Sequence, residues 1–127
     1  MFQQQIQYGH GTFLASVAAS SEPSEYIGAA PGSELIIVKL RRLHPYFYNY
    51  YLIPESQENV FSAAYIMLAI EYMITKAHEL SRPLSICIGL GTNMAGHDGF
   101  SILEEYIRRV SQITGICICV AARKRKQ

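Results

Sequence analysis

The chain has 127 residues, half of them apolar and 17% charged. That is the composition of one small folded domain, or part of one, and it excludes a disordered chain. The formal net charge is +1, but Arg123, Lys124, Arg125 and Lys126 concentrate four positive charges at the C-terminal end; without them 7 basic residues stand against 10 acidic ones, which excludes the footprint of a nucleic-acid-binding domain.

In chain order, "MFQQQIQ" is polar and lacks a basic region followed by an apolar one, so it is not a secretory signal. His10 then stands at the expected mouth of a short helix, Gly11 to Ser20, with Phe13, Leu14, Val17 and Ala18 on its inner face. Residues 21–26 read as a loop. Ala30-Pro31-Gly32 reads as a turn into a strand from about Glu34 to Leu40. Residues 41–58, with four tyrosines and no clear period, read as a surface insertion loop. A long helix is expected from Asn59 to Leu80, so apolar in its first half that it implies burial on more than one side. Its longest apolar run, Phe61 to Ile70, is too short to cross a membrane, which takes about 20 residues. Pro83 ends that helix. A buried strand, Leu84 to Leu90, runs into the Gly-rich "GTNMAGHDG". Ser101 and Glu104 form a capping box at the start of a second helix. Its inner stripe is Ile102, Leu103, Tyr106, Ile107 and Val110, with Glu104–Arg108 and Glu105–Arg109 outside. "GICICVAA" is a last buried strand. This alternation implies an α/β domain with a parallel sheet covered by helices on both faces.

Cys87, Cys117 and Cys119 lie inside apolar runs, and an odd count without C-x-x-C spacing argues against a disulfide framework. They are expected to be buried reduced thiols, with Cys117 and Cys119 on one strand face. His97 and Asp98 are adjacent on a turn, and neighbouring residues rarely ligate one ion unaided, so no metal is expected. "GLGTN" lacks the spacing of a phosphate loop, so no nucleotide cofactor is expected. His44 and His78 are expected to be exposed, and the tyrosines of residues 46–51 to pack within their loop.

His10 carries the functional reading. A helix N-terminus disfavours imidazolium, which suits a general base but equally an ordinary histidine. "GHGTFLASVAA" followed by "YIGAAPGSELIIVKL" resembles the subtilisin-like serine peptidases, whose catalytic histidine stands in H-G-T-x-[VL]-A ahead of a G-x-A-P segment and a sheet strand. The matching residues are His10, Gly11, Thr12, Leu14 and Ala15, then Gly28, Ala30, Pro31, Glu34 and Leu35. The resemblance runs through nearly the whole chain. "ICIGLGTNMAGHDG" and "YYLIPES" look most like the clostridial branch of the Csp germination proteases.

The resemblance implies an incomplete three-layer αβα fold over residues 1–122, followed by a basic tail, 123–127. It implies His10 as catalytic base, oriented by an aspartate and taking the proton of an attacking serine. It also implies that Gly89, Leu90 and Gly91 bind substrate backbone as an added strand. No aspartate precedes His10, however, and no G-T-S element follows. Lys124 stands where relatives carry the oxyanion asparagine, a donor whose loss costs about 10²–10³ in rate in subtilisin itself. Ser101 is a cap rather than a nucleophile. The tail, readable as a nuclear-localisation or nucleic-acid patch, reads better as the point where similarity stops.

The expected function is therefore that of a piece of a serine endopeptidase, inactive alone. The alternatives are a pseudoprotease that binds peptides or a partner, and a remnant with no role. The expected partners are a peptide or protein substrate and the rest of the peptidase domain, with no nucleic acid and no membrane. No cofactor or metal is implied, and the compartment is left open.

Overall fold

The computed structural model describes residues 2–21, 27–54, 60–90 and 100–121, and only the backbone of residues 2–8. The chain divides into two compact units, Met1–Ile37 and Val38–Gln127.

In the first unit, helix α1 runs from Phe2 to Ala19. It starts well before the expected Gly11, because the Gln-rich lead-in is a good helix former with no proline to stop it. Gly9 and Gly11 each cost about 1 kcal/mol against Ala in a helix interior, too little to break an 18-residue helix. The expected inner face is only partly right: Leu14 and Ala18 are half-buried, but Phe13 and Val17 are exposed.

The chain then returns to the C-terminal end of α1. The Gly28 N–H donates to Ser20 O at 2.9 Å, Ala29 N–H to Val17 O at 3.0 Å and Ala30 N–H to Ala18 O at 2.8 Å. These bonds engage carbonyls of the last turn, the groups a helix end leaves for partners from elsewhere. The approach is close enough that a Cβ on Gly28 would lie 2.5 Å from Ser20 N and 2.7 Å from Ala19 N. The next turn places Pro31 before Gly32 (φ 83°), with Ser33 N–H bonded to Ala30 O at 3.2 Å, the chemistry of a type II turn.

The strand expected from Glu34 to Leu40 does not form: residues 33–44 have no regular secondary structure. Exposure still alternates from Leu35 to Arg41, the period of an extended chain. Extended backbone becomes a strand only with a ladder partner, and the sheet formed by the described residues has only two strands, both later in the chain.

In the second unit, the insertion contains helix α2, Pro45–Tyr50, where a loop was expected. Pro45 opens it with a preset φ, and His44 Nδ1 accepts the Tyr46 N–H at 3.2 Å as its N-cap. The helix closes with Ile53 N–H bonded to Tyr48 O at 2.9 Å and Leu52 N–H to Asn49 O at 3.3 Å, a Schellman motif. Leu52 sits at φ 53°, a left-handed position that usually takes Gly and costs a leucine roughly 1–2 kcal/mol.

Helix α3, Ala63–Glu79, starts at the Ser62 N-cap, later than the expected Asn59, which is outside the described residues. Strand β1, Leu84–Ile88, helix α4, Ile102–Val110, and strand β2, Ile116–Val120, form a parallel crossover unit. Pairing runs from Leu84 opposite Ile116 to Ile88 opposite Val120. Ile70 of α3, Ile86 of β1 and Val110 of α4 make the buried core, with Leu84, Ile88, Ile116 and Ile118 packed against it. Both helices therefore cover the same face of the pair.

Side chains alternate along a strand, so Cys87, Cys117 and Cys119 fall on the opposite face and are exposed. The expectation of buried thiols fails for that reason. Cys117 and Cys119 do share a face, and the Cys119 thiol beside Cys117 pushes the latter's pKa up. The described unit has two layers, one short of the three expected. Burial of α3 on more than one side is likewise not seen, with Leu68 65% exposed.

The α4 capping box forms as expected: Ser101 Oγ accepts the Glu104 N–H, and a Glu104 carboxylate oxygen accepts the Ser101 N–H at 3.0 Å. Ile102, expected inside, is 80% exposed. Glu105 takes both Arg108 and Arg109 at 2.8 Å, and those hydrogen bonds, Arg108's first, hold its carboxyl at about 2.

Tyr106 Oη donates to Glu71 Oε1 at 2.8 Å, tying α4 to α3. Partial burial and this bond push the phenol up to about 12. A raised pKa stabilises the fold below the unfolded value near 10, and this contribution is lost as pH climbs through the folded value. The stability difference between the native chain and Tyr106→Phe should therefore be about 1 kcal/mol at pH 8 and shrink between pH 10 and 12 in urea titrations. A difference that does not vary with pH would contradict it.

Candidate functional site

His10 lies in the middle of α1 and its side chain is exposed. This corrects the expected position at a helix mouth. The dipole's influence is confined to the terminal turns, so α1 does not supply the helix-end field expected at His10. What the helix does supply is a rigid mount. Ser16 Oγ donates to Thr12 O at 3.0 Å one turn beyond His10, and the helix end is pinned by Gly28, Ala29 and Ala30. The two halves of the sequence motif, H-G-T and G-x-A-P, are thus one structural object, a helix and the segment that caps it. The capping role of Gly28 was missed by sequence reading. Its only signal is a glycine two residues ahead of Ala-Pro.

Gly89 and Leu90 belong to the second unit and follow the carboxyl end of β1, both half-buried. The ladder persists to this end, where Ala121 N–H donates to Ile88 O at 3.0 Å. In open α/β sheets ligands bind beyond the carboxyl ends of the strands, which is where Gly89 and Leu90 stand. Gly91, His97, Asp98, Lys124 and the rest of the tail lie outside the described residues. A shallow open depression lined by Pro83, Leu84, Ser85, Gly115, Ile116 and Cys117 sits at the opposite, amino end of the strands, away from Gly89. Among the described residues no group of three or more His, Cys, Asp or Glu could hold a metal ion. His44 and His78 are exposed. No helix among the described residues is long and apolar enough to cross a membrane.

The structure of the Clostridium perfringens CspB protease matches this chain with a TM-score of 0.71 and 27% sequence identity over 88% of its length. The chain is related to the Csp-like subtilases. It covers 22% of the CspB protease chain, so it corresponds to about a fifth of that protein. No protein-family model and no curated protein matches it. With this relationship, the helices and parallel strand pair are an incomplete α/β subtilisin-like fold, and the chain is a protease-related segment.

Proposed function

We propose that this chain is the histidine-bearing segment of a subtilisin-like serine endopeptidase domain. The similarity to the CspB protease carries this reading, and His10-Gly11-Thr12 on the capped helix α1 supports it. His10 is the general base that takes the proton from an attacking serine, and an aspartate orients its ring. Gly89, Leu90 and Gly91 hold the substrate backbone by strand-type hydrogen bonds. The sole aspartate in these 127 residues is Asp98, which follows His10, and no Gly-Thr-Ser element is present. The segment by itself therefore does not turn over peptides, and it needs a polypeptide that carries the two missing elements.

Casein or a chromogenic peptide should show no hydrolysis by this chain above a His10→Ala control. Adding a second polypeptide with the aspartate and serine elements should restore hydrolysis that His10→Ala abolishes. Turnover by the chain alone that depends on His10 refutes the inactivity. A second polypeptide that binds tightly yet leaves the mixture inactive refutes the catalytic role of His10 and favours a pseudoprotease that only binds peptides.

A further inference from the structure

Helix α2 and the turn after it carry an exposed cluster of rings. Tyr46 meets Phe47 edge-on at 5.5 Å, Phe47 stacks on Tyr51 at 6.0 Å, and Tyr50 meets Tyr51 at 5.0 Å. None of this six-residue helix is buried. Leu52 ends it at φ 53° and is 87% exposed. Helix α3 ends in the same left-handed way but with the polar Ser81. A leucine pays the conformational cost of that position, and an exposed one recovers nothing by packing within its own chain.

Charge singles out the same stretch. Residues 35–54 contain Lys39, Arg41 and Arg42, all exposed, and no acidic residue, within a chain whose body is otherwise net acidic. The described depression lies on other residues. An exposed apolar residue, exposed phenols beside it in sequence and cations a few residues before them are the side-chain types that a bilayer surface takes. Acyl chains take the leucine, the interface takes amphipathic rings, and anionic headgroups attract Lys and Arg.

We propose that the α2 tip, with Leu52 and Phe47 inserted and Lys39, Arg41 and Arg42 at the headgroups, docks this chain peripherally on an anionic lipid bilayer. The expectation of no membrane partner rested on the absence of a spanning segment, and a surface contact needs none.

Flotation with vesicles of 70:30 neutral to anionic phospholipid tests this. The full chain should bind them at least tenfold more tightly than purely neutral vesicles, and should release as NaCl rises from 50 to 500 mM. Leu52→Gly relieves the left-handed backbone, so its melting temperature should hold or rise while vesicle affinity falls roughly tenfold or more. Ser81→Gly relieves the same backbone conformation on α3 and should leave binding unchanged. Arg41→Glu with Arg42→Glu should abolish the preference for anionic lipid. Absence of binding, equal binding to both vesicles, or a Leu52→Gly chain that binds like the native one overturns the proposal. Self-association that Leu52→Gly abolishes, in a chain that ignores vesicles, overturns it in favour of a second copy as the occupant.

Discussion

Replacing Ile86 with Ala is expected to cost the second unit about 2–5 kcal/mol, a large fraction of the stability a domain of this size possesses. Ile86 is 2% exposed and meets Ile70 and Val110 where α3, α4 and β1 converge. These three form the buried cluster of the core, so a cavity at Ile86 removes contacts from both helices at once. The surrounding layer of half-buried Ile, Leu and Met can collapse only partly into the gap. Ile102→Ala is the matching control: the same atoms are deleted at a residue 80% exposed, and the change should stay within about 0.5 kcal/mol. Urea unfolding followed by far-UV circular dichroism separates the two. A similar midpoint for both variants would mean that the core is not where Ile86 lies.

Gly28→Val should destabilise the first unit by about 1–3 kcal/mol, the usual cost of forcing atoms into occupied space. The added Cβ would meet backbone at 2.5 Å rather than the end of a flexible side chain, so the capping segment itself must move. That movement strains the bonds from Gly28, Ala29 and Ala30 to Ser20, Val17 and Ala18. The end of α1 is then left with unpaired carbonyls. Gly9→Ala and Gly11→Ala go the other way. Nothing lies within 4 Å of a Cβ at either position, and each should strengthen α1 by about 0.5–1 kcal/mol. Amide exchange at Val17 to Ser20 is the direct readout. Faster exchange in Gly28→Val with unchanged exchange in β1 and β2 is the expected pattern, and unaltered exchange at the helix end contradicts the capping role. In the proposed enzyme this cap steadies the helix that presents His10, so a complemented enzyme with Gly28→Val should also lose rate.

The features legible in the sequence are those set by neighbours along the chain. The Ser101–Glu104 capping box formed as expected because its two hydrogen bonds span three residues and need nothing else. Pro83, the apolar strands and the helical period likewise placed α3, β1, α4 and β2 to within a few residues. The pairing of His10-Gly11-Thr12 with Gly28 to Pro31 was enough to reach the relationship that the CspB protease structure supports. Only the tertiary structure decided the rest, because each remaining feature depends on what lies across space. The cysteines are apolar enough to bury, but which strand face is covered depends on where α3 and α4 pack. Residues 34–40 have the composition of a strand and lack the ladder that makes one. Gly28 looks like an ordinary turn residue until the end of α1 is placed against it. Leu52 reads as one more apolar residue, and only its backbone angle and its exposure set it apart.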